Sequence, residues 1–132
     1  MRKPRDIKLQ VNGKPHDLHI SPDASLLTVL RNDLELNAPK YGCGLGQCGS
    51  CTVLINRVAA RACVIPVGEV GQRFVTTLEG LAEVETLHPV QTAFIQEQAA
   101  QCGYCLNGMI MTIVALLERL SDPTEQQITD AL

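Results

Sequence analysis

The chain has no tryptophan, and aromatic residues make up only 3% of it. Its core must therefore be built from aliphatic side chains. Hydrophobic residues reach 45% of the sequence, which is typical of a globular protein and excludes a wholly disordered chain. No apolar run approaches the roughly 20 residues that a membrane-spanning helix needs, so we expect no membrane span.

An excess of positive charge is also missing. The formal net charge is −3 and no basic patch stands out, which argues against a nucleic-acid partner. The basic segment from Met1 to Arg5 is not followed by an apolar stretch, so we expect neither a Sec nor a Tat signal. Six cysteines without such a signal favour metal binding in a reducing compartment. We expect a cytoplasmic location, or export on the signal of a partner subunit.

Three cysteines, Cys43, Cys48 and Cys51, have C-x4-C-x2-C spacing, with glycines at positions 44, 46 and 49 in the gaps. This is the spacing of a plant-type [2Fe–2S] site, in which one loop and a later cysteine hold two irons. Glycine allows the positive φ values and the close backbone approach that a small anionic cluster requires. We therefore predict that these three cysteines and Cys63 are the ligands of a [2Fe–2S] cluster.

Structural zinc and disulfide bonds are two other uses of cysteines with close spacing. A structural zinc site favours two C-x2-C pairs or cysteine with histidine, whereas only one gap here is x2 and no histidine is near. A disulfide framework is typical of exported chains, and no export signal is visible. Both are less favoured than an iron–sulfur site.

The first part of the chain alternates between polar and apolar residues, which predicts strands. The expected elements are strands at 6–11, 15–20, 51–56, 58–65 and 74–77 and a helix at 25–33. Asn12-Gly13 is a strong hairpin turn signal, and Ser21 and Asp23 are candidate N-caps for the helix. Two hairpins, one helix and a closing strand predict an α+β fold of the β-grasp type, with Cys63 on its fourth strand.

From residue 79 onward we expect a helical part. The expected helices begin at His88, cover 106–120, and begin again at Thr124. Pro89 suits a first helical turn, and Thr124 with Gln127 forms a capping box. The 106–120 helix is apolar nearly all round, which predicts burial on several sides.

Cys102 and Cys105 form a C-x2-C pair between two of these helices. A c-type haem site would need histidine where Leu106 stands. A thioredoxin-type redox pair follows a strand, whereas a helix precedes this pair. The remaining option is half of a second metal site, for which the sequence has no cysteines left.

Several motifs, taken in order, resemble one known family along essentially the whole chain. They are Tyr41-Gly-Cys-Gly-Leu-Gly-Gln-Cys-Gly-Ser-Cys-Thr-Val53, Cys63, Thr76-Thr-Leu-Glu-Gly-Leu81, His88-Pro-Val-Gln91 and Gln101-Cys-Gly-Tyr-Cys105. They are similar to the small iron–sulfur subunit of molybdenum hydroxylases, the xanthine oxidase family, and most of all to its bacterial nicotinate and isoquinoline dehydrogenases. The resemblance implies a ferredoxin-like β-grasp domain at 1–78 and a helical [2Fe–2S]-binding domain at 79–132.

The resemblance also implies roles for residues. The four cysteines between positions 43 and 63 would bind the cluster nearer solvent, and Cys102 and Cys105 a cluster nearer the molybdenum cofactor. Gln101 would hydrogen-bond the pterin. The family takes two further ligands from a later Cys-x-Cys, and this sequence ends before that motif. We therefore expect a truncated sequence that also lacks a fourth bundle helix, which leaves apolar surface on the 106–120 helix uncovered.

The function implied is electron relay through two [2Fe–2S] clusters. Electrons would come from the molybdopterin of a large partner subunit, then pass to FAD or haem c in a flavoprotein or cytochrome partner. The implied substrate is a nicotinate-like N-heteroaromatic compound or an aldehyde, and we expect no catalytic residue in this chain. The alternatives are a free-standing ferredoxin, which would not need residues 88–132, and a zinc-stabilised interaction module.

Overall fold

The computed structural model describes all 132 residues, and its N-terminal part is a five-stranded mixed sheet. The strands are β1 (Arg5–Val11), β2 (Lys14–Ile20), β3 (Thr52–Ile55), β4 (Val58–Arg61) and β5 (Phe74–Thr76). Their order across the sheet is β2-β1-β5-β3-β4, so β2 and β4 are the edge strands. The pair β1 and β5 is parallel, and the other neighbours are antiparallel. All five predicted strands are present.

Both hairpins turn on two consecutive residues with positive φ. These angles are 51° and 76° at Asn12 and Gly13, and 49° and 67° at Asn56 and Arg57. Two successive left-handed residues make the turn whose twist matches that of the flanking strands. The Asn12 side chain also donates to the Thr77 hydroxyl and accepts from the Thr77 N–H, each at 2.9 Å. The first turn is thereby tied to the chain just after β5.

The helix that covers the sheet is short and changes its winding. α1 (Leu26–Thr28) continues into a π-helical turn (Val29–Asp33). Its N-cap is Ser25, whose hydroxyl accepts the N–H of Thr28 at 3.1 Å. The helical segment was predicted, but its cap lies two to four residues later than expected.

The predicted caps are occupied by the N-terminal segment instead. The Ser21 hydroxyl donates to the carbonyl of Arg2 at 2.7 Å, and the Asp23 carboxylate pairs with the Arg2 guanidinium at 2.7 Å. The prediction of Ser21 or Asp23 as N-cap was therefore wrong. Ser21 and Asp23 bind Arg2, which lies about 20 positions earlier in the chain, and so they do not cap the helix. A local sequence pattern cannot predict such a contact.

The second hairpin is shorter than predicted. β4 ends at Arg61, and Ala62–Val64 forms a 3₁₀ turn, so Cys63 lies on a turn and not on a strand. This turn packs against the cysteine loop: a Cβ added at Gly46 would lie 3.2 Å from Cγ2 of Val64. The placement of Cys63 on a strand was wrong because the chain must leave the sheet to bring this residue to the loop.

The sheet has an apolar core on each side. The larger core, under α1, contains Leu9, Val11, Leu26, Leu27, Val29, Leu30, Val53, Val67, Val70 and Val75. The smaller core, under the C-terminal helices, contains Leu54, Val90, Ile110, Met111, Val114 and Ala115. Successive residues of a strand point to opposite faces, so Val53 and Leu54 place β3 in both cores. As expected from the composition, no aromatic residue belongs to the buried set of either core.

The C-terminal part consists of three helices. They are α2 (Pro89–Gln96), α3 (Leu106–Arg119) and α4 (Glu125–Ala131). α2 and α4 begin at capping boxes, His88 with Gln91 and Thr124 with Gln127. The burial predicted on several sides of α3 is incomplete, since Leu117 stays 39% exposed. None of the helices combines the length and hydropathy needed to cross a bilayer.

Candidate iron–sulfur site

The loop between residues 42 and 51 directs backbone N–H groups at a sulfur. Sγ of Cys43 accepts the N–H groups of Leu45, Gln47 and Cys48, each at 3.3 Å. Three loop glycines have φ between 68° and 82°, which turns these N–H groups inward. This arrangement of N–H donors around a sulfur is the one that stabilises negative charge on a thiolate.

Donors in this loop change the acidity of two thiols, the half-buried Cys43 and the exposed Cys48. The N–H of Cys48, followed by those of Leu45 and Gln47, lowers the pKa of Cys43 below its ordinary value. The Ser50 hydroxyl, helped by the N–H of Cys43, lowers the pKa of Cys48 to about 6. The loop thus favours the anionic sulfurs that bind metal.

Ser50 has one hydroxyl hydrogen and two acceptors in reach. Its Oγ lies 3.2 Å from Cys48 Sγ and 3.2 Å from the carbonyl oxygen of Lys40. A neutral Cys48 thiol can donate to Ser50 while Ser50 donates to Lys40. Ionisation of Cys48 therefore goes together with rotation of the Ser50 hydroxyl toward the sulfur.

Cys51 differs from the loop thiols because it is buried. It is 2% exposed, and burial raises the pKa of its thiol to about 11. Cys63 also affects this pKa: its backbone N–H lowers the pKa of Cys51 and its thiol raises it. Cys51 is thus the thiol that most needs a bound cation to lose its proton, since a coordinating metal deprotonates a thiol outright.

Cys43 and Cys48 each donate a backbone N–H to the other's sulfur, and Cys51 interacts more with Cys63 than with Cys48. Mononuclear zinc needs four ligands around one point, whereas a [2Fe–2S] cluster spreads four cysteine sulfurs over two irons. The donor set fits a [2Fe–2S] cluster better than zinc.

The loop leaves no room for a side chain beside the sulfurs. A Cβ at Gly42 would lie 2.6 Å from both Cys48 Sγ and Ser50 Oγ. At Gly44 a Cβ would lie 2.6 Å from the Tyr41 hydroxyl. Gly42 therefore avoids a clash with a ligand sulfur, whereas at Gly44 the nearby atom is the end of the exposed Tyr41 side chain and the positive φ is the reason for glycine.

The second cysteine pair lies on the turn before α3. Cys102, Cys105 and Gln101 are all exposed, and Gly103 has φ of 84°. Cys105 is the residue at the start of α3, and no side chain caps this end of the helix. The three side chains predicted to meet a second cluster and a pterin can thus be reached from outside the chain.

The two cysteine groups face one cavity of about 230 Å³. Cys48 and Gly49 line it from the loop, and Cys105, Gly108 and Met109 line it from α3. The two groups also touch directly, since the hydroxyl of Tyr104 donates to the carbonyl of Tyr41. The structure therefore brings together two motifs that are far apart in the sequence.

Sequence reasoning missed Asn107, which joins the two motifs. Its side-chain NH₂ donates to the carbonyls of Ser50 at 2.9 Å and Thr52 at 3.1 Å. It is 4% exposed, and its Oδ1 has no hydrogen-bond partner. The available signal was the Asn107-Gly108 dipeptide inside an apolar helix, since both residues are unfavourable there.

Two protein families match the chain, one for each cysteine group. Residues 9–72 match the 2Fe-2S iron-sulfur cluster binding domain. Residues 77–132 match the [2Fe-2S] binding domain. Each cysteine group therefore lies within a matched iron–sulfur domain.

Individual relatives agree with these matches. A nicotinate dehydrogenase subunit of Pseudomonas putida is 61% identical over 126 residues, which are 96% of this chain and 80% of that protein. The alpha subunit of isoquinoline 1-oxidoreductase from Brevundimonas diminuta is 46% identical over 127 residues, which are 96% of this chain and 83% of that protein. Quinoline 2-oxidoreductase from Pseudomonas putida 86 superposes with a TM-score of 0.92 at 32% identity, over 98% of this chain and 80% of that chain.

These relatives also decide between the functions considered from the sequence. The first two are subunits of oxidoreductases, so a free-standing ferredoxin is not favoured. The expected ferredoxin-like domain followed by helices is confirmed. The chain belongs to the iron–sulfur, electron-transfer subunits of the molybdenum hydroxylase (xanthine oxidase) family.

Proposed function

We propose that this chain relays electrons from a molybdopterin centre in a large partner subunit through two [2Fe–2S] sites. The observation that carries the proposal is the cavity that Cys48 and Cys105 line from opposite motifs. A bound [2Fe–2S] cluster supplies one-electron redox chemistry at each site. The chain's own residues hold the two sites at a fixed spacing and adjust their electrostatic surroundings.

The first site uses the four cysteines of the N-terminal part. Cys43 and Cys48 hold one iron, and Cys51 and Cys63 hold the other, as the pairing of their thiols supports. The three N–H groups that point at Cys43 Sγ stabilise negative charge at this site. Hydrogen bonds to the sulfurs are one of the means by which a protein sets a reduction potential.

The second site uses Cys102 and Cys105, and Gln101 contacts the pterin. The exposure of all three side chains supports these roles, because each can be reached from outside the chain. The six cysteines supply four ligands to the first site and two to the second. The other two ligands of the second site do not come from these 132 residues.

The names of the relatives support a substrate class for the complex. The relatives that are named for nicotinate, isoquinoline and quinoline suggest an N-heteroaromatic substrate. An aldehyde is the second candidate, because the iron-sulfur-binding subunit of an Escherichia coli aldehyde oxidoreductase is 42% identical. The electron acceptor is a flavoprotein carrying FAD or a cytochrome carrying haem c. The complex works in the cytoplasm, where six free thiols are kept reduced. No residue of this chain acts on the substrate.

Electron paramagnetic resonance of the intact, anaerobically purified complex tests this proposal. After reduction we expect two distinct iron–sulfur signals at low temperature. Cys48→Ser should remove or alter one of them, and Cys105→Ser the other, because each variant removes a ligand from one site. A complex replete in iron that gives no such signal would refute the proposal, and loss of the same signal in both variants would refute the assignment of two sites.

A further inference from the structure

α3 meets the cysteine loop without a side chain between them. A Cβ at Gly108 would lie 2.1 Å from the carbonyl oxygen of Gly49 and 2.7 Å from its carbonyl carbon. That carbonyl cannot easily withdraw, because it accepts from the N–H of Thr52 at 3.0 Å and from its hydroxyl at 2.6 Å. Glycine is a poor helix former, and here it is the residue that fits against the loop backbone.

The neighbouring residue fixes the same contact with hydrogen bonds. Both hydrogens of the Asn107 amide go to backbone carbonyls, that of Ser50 in the loop and that of Thr52 at the start of β3. Since both neighbours are acceptors, the NH₂ and not the Oδ1 must face them. The Oδ1 is buried without a partner, which is unfavourable. Asn107 thus hydrogen-bonds the backbone of the cysteine loop and β3 although its own oxygen stays unpaired. We take this as a sign that the residue is there to hold α3 against that backbone.

We propose that Asn107 and Gly108 are positioning residues that set the separation of the two iron–sulfur sites. The inference rests on the proposed function. Gly49 and Ser50 lie between the ligands Cys48 and Cys51, and Asn107 follows Cys105 by two residues. The contact therefore lies within two or three residues of a cysteine ligand on each side. It holds the distance between the two sites, on which electron transfer between them depends.

The magnetic coupling between the two reduced clusters measures this separation directly, because dipolar coupling falls with the cube of the distance. We expect Asn107→Leu to weaken the resolved splitting or spread it over a range in the intact complex, with iron and sulfide contents unchanged. Asn107→Ser, which has a smaller side chain but keeps one donor, should give a smaller change in the same direction. Val114→Ala is the matched control: it leaves a cavity on the same helix away from the loop and should keep the splitting of the unmodified complex.

Each outcome decides the question. Unchanged splitting in both Asn107 variants would overturn the inference. So would loss of iron from Asn107→Ser, since it would give the contact a role in forming a site and not in spacing two sites. An equal change of the splitting in Val114→Ala would also overturn the inference, because it would show that any loosening of α3 has the same effect. Absence of iron–sulfur signals from the unmodified complex would instead refute the proposed function and is seen before any variant is made.

Discussion

Cys48 and Ser50 show how single side chains prepare the loop for metal. The Ser50 hydroxyl is the largest cause of the lowered pKa of Cys48, which lies at about 6. A thiol with a lowered pKa is anionic above that value, so in the metal-free protein Cys48 should be a thiolate at neutral pH. Metal binding then releases fewer protons at this position than at the buried Cys51, whose pKa is raised.

Ser50→Ala should raise the pKa of Cys48 toward that of an ordinary thiol. We expect alkylation of Cys48 in the metal-free protein to begin near pH 6, and the variant to need a higher pH for the same rate. Peptide mass spectrometry separates Cys48 from the other thiols. Ser21→Ala is the control, because Ser21 contacts Arg2 and no thiol. An unchanged midpoint in Ser50→Ala would show that the backbone donors alone set the acidity.

The individual ligands could be predicted from the sequence, whereas the residues that join them could not. The spacing of Cys43, Cys48 and Cys51 predicts an iron–sulfur site by itself, because these ligands and the glycines between them lie in one short loop. Asn107 contacts carbonyls 55 and 57 residues earlier in the chain. Such a contact leaves no periodic trace, and only the unfavourable Asn-Gly pair pointed to it.

α3 has one face in the smaller core and another toward solvent. Met111 has no exposed surface, whereas Leu117 is 39% exposed, although both are large apolar residues of one helix. The cost of truncating an apolar side chain depends on the cavity that remains. The helix should therefore respond very differently on its two faces.

Met111→Ala should lower the free energy of unfolding by about 2–5 kcal/mol, the usual range for a buried methionine or leucine. Leu117→Ala should lower it much less, since its side chain already meets water. Urea denaturation of the metal-free chain, followed by circular dichroism, measures both. Equal losses would mean that Leu117 is buried in solution by something that packs on this face.

Elements defined by local patterns were predicted well, and their ends were not. Both hairpins follow from the alternation of polar and apolar residues, and the first also from Asn12-Gly13. The cap of α1 depends on Arg2, and the end of β4 depends on where Cys63 must go. Boundaries fixed by tertiary contacts lie outside what a window of sequence contains.

At the scale of the whole molecule, Leu54 connects the sheet to the helices. It lies on β3 and is 4% exposed within the smaller core. We propose a boundary between two domains at residues 78 and 79, each with its own core on one side of the sheet. β3 then belongs to the first domain, but its Leu54 packs in the core of the second, so the two domains are coupled.

Leu54→Ala should loosen the helical domain more than the sheet. We expect amide hydrogen exchange to accelerate in α3 and to change little in β1 and β2, because local stability follows local packing. Leu9→Ala, in the other core, should accelerate exchange in β1 instead. Equal acceleration of β1 and α3 by Leu54→Ala would contradict the proposed boundary.

The edge position of β2 affects whether the free subunit can aggregate before it joins its partner. An open strand edge offers unpaired N–H and C=O groups to other chains, and proteins blunt such edges with lysine, proline and charge. β2 carries Lys14, Pro15 and Asp17, all exposed. The β2 edge is therefore a poor template for a strand of another chain, so strand-to-strand aggregation of the free subunit should not begin there.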